Sequence, residues 1–213
     1  MKRVLLINAS ARMLNSKSRR LTEVFAEQWT TKNSDPNIIY RELGNANVPH
    51  ITENWIIAAF KPESERTPDD VDILKLSDSY ISELHQADVI VLGSPMYNWS
   101  IPSPLKAYVD QVLRFSKTFS IDRENTQSPY VGLLKNKTLV LLLSRGLGEY
   151  EQGEANEHMN FQSNYLKTVF NMMGVKNIHT VAIDGAAQEG EKLTEKMERS
   201  QQRIKDLIEK GLV

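Results

Sequence analysis

Two short stretches hold residue types whose spacing suits ligand chemistry. The first is Ser94-Pro95-Met96-Tyr97-Asn98-Trp99, a proline-containing turn that follows the apolar run Asp88 to Gly93 and precedes a helical pattern from Ser103 to Phe115. A turn carried on the end of a buried strand offers main-chain N–H groups, a polarizable thioether and aromatic faces to a flat ligand. The second is Asn8-Ala9-Ser10-Ala11-Arg12-Met13-Leu14-Asn15-Ser16-Lys17-Ser18, which lies between a first strand and a helix. Ser10, Ser16, Lys17 and Ser18, with Arg12 as an added charge, gather hydroxyls, cations and unpaired N–H groups where a helix dipole favours an anion. Read alone, this stretch is either a phosphate cradle or an ordinary capped helix, because serine is a common N-cap. It has neither the G-x-x-x-x-G-K-[ST] of a P-loop nor the G-x-G-x-x-G of a dinucleotide fold.

The elements that position these stretches follow from periodicity. Strands are expected at Arg3 to Asn8, Ile38 to Arg41, Asp88 to Gly93, Thr138 to Leu143 and Ile178 to Ile183. The first helix shows one apolar face through Leu21, Val24, Phe25 and Trp29, with Asn15 or Ser16 as its cap. Thr67-Pro68-Asp69-Asp70 starts another, with the acids complementing the dipole rather than forming a metal pair. Two further helices, Phe161 to Met173 and Gly190 to Lys210, flank the last strand. Two long connections, 45–66 and 116–136, have no assigned element; the first contains the apolar stretch Trp55 to Phe60, the second Phe119, Ile121, Tyr130 and Val131. Such long connections tend to be functional or to bury themselves against a partner.

Five strands alternating with five helices predict one α/β domain over residues 1–213, a doubly wound five-stranded parallel sheet of order 2-1-3-4-5 with helices on both faces. In that order the loops after strands one and three face one crevice, and Ser144-Arg145-Gly146-Leu147-Gly148, after strand four, lies beside them. This convergence favours the phosphate reading. A ligand with a phosphate at one end and a flat body at the other fits, and flavin mononucleotide (FMN) is such a ligand. Main-chain N–H groups of Met96, Tyr97 and Asn98 would meet the polar edge of its ring. Plain packing is the alternative for Tyr97 and Trp99.

Bulk properties narrow the classes. At 213 residues, 40% hydrophobic and 25% charged, the chain has globular composition, and a net charge of −1 gives no reason to expect nucleic-acid or membrane-surface binding. With no cysteine, thiolate chemistry and cysteine-ligated metals are excluded. The four histidines, His50, His85, His158 and His179, have no metal-ligand spacing, and only His158 falls near the expected site. No run approaches the roughly 18 apolar residues of a spanning helix, and the expected location is cytoplasmic.

The sequence resembles the FMN-dependent, NADH-using azoreductases, a branch of the flavodoxin-like quinone reductases. The similarity covers essentially the whole chain and rests on Ser10, Ser16 and Ser18, on Ser94-Pro95-Met96-Tyr97-Asn98, and on Ser144-Arg145-Gly146. The family usually has a second glycine after Ser-Arg-Gly; here Leu147 stands there. The resemblance implies that the serine loop holds the FMN phosphate and that Pro95 to Trp99 and Ser144 to Gly146 hold its ring. It also implies ping-pong transfer from NADH or NADPH to quinones or azo compounds, with no certain catalytic side chain and no metal. A homodimer with shared sites is implied too. Phe119, Tyr150 and Phe161 are candidates for covering the ring, with plain packing as the alternative for each. Trp55 to Phe60 would cap the partner's site or fold back on their own subunit. A flavodoxin-like electron carrier is the main alternative, though carriers are usually strongly acidic; a receiver domain would need an acidic pair where Asn8-Ala9-Ser10 stand.

Overall fold

The computed structural model describes residues 2–187, 190–211 and 213. Continuous apolar runs form the strands β1 (Arg3–Asn8), β3 (Val89–Pro95) and β6 (Thr138–Ser144), each buried on both faces. β2 (Asn37–Glu42) and β7 (Asn177–Ile183) flank them, giving an all-parallel sheet of order β2-β1-β3-β6-β7. This is the expected 2-1-3-4-5 arrangement. Alternation along the strands divides the core in two. Leu5, Ile7, Ile90, Leu92, Leu139 and Leu141 face α3 (Pro68–Gln86), α4 (Ser103–Val112) and α5 (Ser163–Met173). Val4, Leu6, Val89, Val91, Val140 and Leu142 face α1 (Lys17–Lys32) and α6 (Glu191–Glu209).

Helix ends follow local chemistry. Ser16 caps α1 by accepting from the Arg19 N–H, and Thr67 caps α3 in a reciprocal capping box with Asp70. α5 stops at Gly174, whose φ of 105° is open to glycine without cost.

The two long connections differ from expectation. Within 45–66 a sixth helix, α2 (Glu53–Phe60), is capped by Thr52 and docks on α3 through Trp55 and Ala58. The Trp55 indole N–H donates to Gln111 Oε1 at 3.0 Å. Trp55 therefore folds back on its own subunit, whereas Ile56, Ile57 and Phe60 remain exposed. Within 116–136, β4 (Phe119–Ile121) and β5 (Tyr130–Gly132) pair antiparallel. That hairpin meets the end of α5 so closely that a Cβ on Gly132 would overlap the Gly174 backbone. Both elements were missed because their burial comes from neighbours: α2 has apolar residues on nearly every side, and the hairpin strands are too short to show a period.

Candidate functional site

The loops after β1, β3 and β6 open on one crevice at the carboxyl edge of the sheet, about 670 Å³ in volume. Ser10, Arg12, Ser16 and Lys17 line one end of it, Pro95, Met96 and Tyr97 another wall, and Ser144, Arg145 and Gly146 a third. Ala186, Ala187 and Leu193, which the sequence did not single out, close it from the side of β7 and α6.

The polar end is built by the start of α1. An α-helix leaves its first N–H groups without intrahelical acceptors, and among the described residues none accepts from the Lys17 or Ser18 N–H. The Ser16 and Ser18 hydroxyls stand 3.3 Å apart, with Ser18 wholly buried behind Ser16. Ser10 Oγ accepts the Arg12 N–H at 3.2 Å, tightening the loop. The loop's shape depends on Arg19, a residue absent from the sequence expectations. Its guanidinium forks onto both carboxylate oxygens of Glu42 at 2.6 Å and donates to the carbonyls of Ser10 at 2.7 Å and Arg12 at 2.9 Å. Two signals point to it: a cation in the first turn opposes the helix dipole, and β2, paired with β1, ends on an acid. Next to that clamp, Gly44 passes so close to Ser10 that a Cβ would overlap its carbonyl.

The other end is formed by the turn after β3. Tyr97 and Ser100 exchange both main-chain hydrogen bonds at 3.0 Å, leaving Asn98 and Trp99 as a two-residue hairpin with φ of 48° and 64°. Positive φ at both positions is the type I′ turn; for tryptophan it is a strained conformation that surrounding contacts must enforce. The expectation that Met96 and Tyr97 offer their N–H groups to a ligand is corrected here. Met96 donates to the Ser144 carbonyl at 2.8 Å and Tyr97 to Ser100, whereas the Asn98 N–H and the Gly146 N–H have no acceptor among the described residues.

Arg145 is more than a wall residue. It is fully buried, and its guanidinium is engaged by Glu151 at 2.7 Å, Asp184 at 3.4 Å, Gln162 and Ser163. Its charge is matched by these protein partners, while the residue still lines the crevice wall. Burial pushes the Asp184 carboxyl above its ordinary value, against the pull of Arg145.

The three ring-covering candidates do not line the crevice of their own chain. Tyr150 is buried with its ring 5.6 Å from the Arg145 guanidinium. Phe119 packs edge-on against Phe115 and against Tyr130 in the hairpin. Phe161 is exposed and, with His158 and Tyr165, lines a neighbouring cavity of about 720 Å³. Asn98 and Trp99 are likewise exposed at the rim, and Leu147 projects into solvent while its carbonyl accepts from the Gly185 N–H. Among the described residues no cluster of three or more His, Asp or Glu is placed to hold a metal, and no helix is long and apolar enough to cross a membrane.

A family model described as flavodoxin-like fold matches residues 2–208. The chain is 35% identical, over 96% of its length and 97% of the relative's, to an FMN-dependent NADH:quinone oxidoreductase of Nostoc punctiforme. The chain belongs to the flavodoxin-like family of FMN-dependent NADH:quinone oxidoreductases. Another relative in this family, an FMN-dependent NAD(P)H:quinone oxidoreductase 1 of Pseudomonas aeruginosa, is 34% identical over 96% of this chain and 97% of its own. The crystal structure of an azoreductase from Bacillus anthracis superposes with a TM-score of 0.86 at 25% identity, covering 97% of this chain and 98% of that one. The crevice suits the family's cofactor: first-turn N–H groups without protein acceptors lie at one end, and at the other a Cβ on Gly146 would stand at the crevice wall, 3.7 Å from Ala187 Cβ.

Proposed function

We propose that this protein is an FMN-dependent oxidoreductase that draws reducing equivalents from NADH or NADPH and passes them, two electrons at a time, to quinones and to aromatic azo compounds, which it cleaves to amines. The observation that carries this reading is the convergence of an anion-binding helix start with two strand-end loops on one crevice. FMN, when bound, supplies the hydride-accepting and electron-donating chemistry. The chain's own part is positioning. The Lys17 and Ser18 N–H groups, the hydroxyls of Ser10 and Ser16 and the Lys17 ammonium hold the phosphate. Pro95 to Asn98 and Ser144 to Gly146 would hold the ring, and the Asn98 and Gly146 N–H groups, without protein acceptors among the described residues, would be free to bond its polar edge. Two planar reactants then use one ring site in turn, which is a ping-pong cycle and requires orientation more than a side-chain acid or base.

Sharing of the site across a two-fold homodimer belongs to the same proposal. Ile56, Ile57 and Phe60 on α2, with Ile121, Tyr130 and Val131 on the hairpin, are exposed apolar residues of the kind an interface covers. They supply the covering surface that Phe119, Tyr150 and Phe161 do not provide within their own chain. The test begins with flavin absorbance that survives desalting, followed by NADH oxidation with a quinone acceptor. Parallel double-reciprocal lines and a dimer by light scattering are expected. A protein that keeps FMN but fails to oxidise NADH would instead be an electron carrier, and one that never retains FMN would end this reading.

A further inference from the structure

Four consecutive residues after the short 3-10 turn Glu157–Met159 connect the two loops at the ring end of the crevice. The Phe161 N–H donates to the Trp99 carbonyl at 3.1 Å. Gln162, fully buried, donates from Nε2 to the Ser94 carbonyl at 3.1 Å and accepts at Oε1 from Arg145 Nε at 3.1 Å. Ser163 Oγ accepts from Arg145 Nη2 at 3.2 Å and from Asn160 Nδ2 at 2.8 Å. The single amide of Gln162 thus spans from the end of β3 to the first residue after β6. Beside it the β3–β6 ladder itself runs as far as Pro95 and Ser144, and the Met96 N–H donates to the Ser144 carbonyl just beyond.

We propose that Gln162 is a positioning residue that sets the spacing of the slot between the β3 and β6 loops, and through it the grip on the flavin ring, without itself touching the cofactor. The inference rests on the FMN reading above. Its physical basis is that an amide with both ends satisfied between two buried groups holds their separation, because moving either loop leaves a buried polar atom unpaired. A methionine of similar length keeps the packing but removes the amide's bond to the Ser94 carbonyl and leaves Arg145 Nε without its acceptor. The phosphate end has separate supports, Arg19 and Glu42, and does not depend on this tie.

Two variants test it, Gln162→Met and Gln162→Glu; the second keeps a partner for Arg145 while removing the amide donor to Ser94. The readout is release of flavin on dilution of the reconstituted protein, for FMN and for riboflavin, together with the midpoint potential of bound FMN. Both variants are expected to weaken FMN and riboflavin alike, by about tenfold or more, so that the ratio of the two affinities stays at its wild-type value while the potential shifts. General loosening would disturb the phosphate cradle also and change that ratio, which would overturn the proposal. Wild-type affinity and potential in Gln162→Glu would overturn it as well, including when Gln162→Met does not fold. Failure of the parent reading is distinct, since wild-type protein would then bind neither flavin.

Discussion

Replacing Arg19 with lysine tests whether the phosphate loop is held by a fork or merely by a charge. In the native arrangement one guanidinium makes four hydrogen bonds, two to Glu42 and one each to the Ser10 and Arg12 carbonyls. An ammonium is a single point and reaches at best two of these partners at once. Two lost charge-assisted bonds are worth about 1.5–3 kcal/mol each where desolvated. The Glu42 side chain is 36% exposed and recovers part of its loss in water. The expected net effect is about 2–3 kcal/mol. The assay is denaturant unfolding of flavin-free Arg19→Lys, with Glu42→Gln and the double variant completing a cycle, and FMN affinity measured on each. The coupling is expected to be about 1–2 kcal/mol, in the range for residues in direct contact, and Arg19→Lys is expected to lose FMN affinity as the loop relaxes. An unchanged unfolding midpoint together with wild-type FMN retention would show that the loop keeps its shape without the clamp.

Ser16→Asp separates the cap from the ligand. Aspartate caps a helix as well as serine, so unfolding is expected to match wild type, yet its carboxylate faces the phosphate. Like charges about 4 Å apart repel by about 4 kcal/mol at an interfacial dielectric, so FMN affinity is expected to drop at least about a hundredfold; equal affinity would remove Ser16 from the phosphate site. Asp70 governs an acid-sensitive contact. The Lys61 ammonium, then the Thr67 N–H and hydroxyl, hold its carboxyl at about 2, below the ordinary 3.8. A carboxyl depressed in the folded state contributes stability above its unfolded value and loses it as pH falls through the folded one. Asp70→Asn is therefore expected to melt below wild type at neutral pH, with the gap closing between about pH 4 and pH 2. A gap that stays constant across that window would contradict the assignment.

What could be read from the chain and what could not divides along physical lines. β1, β3 and β6 were legible because strands buried on both faces must be continuous apolar runs, and Thr67-Pro68 and Gly174 mark helix ends by backbone chemistry alone. The sheet order then brought Ser16, Met96 and Ser144 to one edge. Arg145 illustrates the limit, since nothing in the sequence around it announces that Glu151, Asp184 and Gln162 engage its guanidinium. Arg19 was harder to see: its cation in the first turn and the acid ending β2 are faint signals, and its other two partners are main-chain carbonyls, which leave no pattern in sequence. Asn98 suits positive φ, but tryptophan beside it masks a turn that usually advertises itself with glycine.

The hairpin of β4 and β5 is anchored only at its base. The Leu133 N–H donates to the Thr118 carbonyl, the Leu134 N–H to Met173, and Gly132 lies against Gly174. Beyond those anchors residues 122–128 are exposed and share no hydrogen bond with the main sheet among the described residues. Remodelling is therefore cheap at the tip and forbidden at the root. Insertions or exchanged sequences at 122–128 would leave the scaffold intact, whereas any side chain at Gly132 or Gly174 would pry the whole excursion off α5. Sequence exchange has a natural cassette there, provided that Gly132 and Gly174 are carried unchanged.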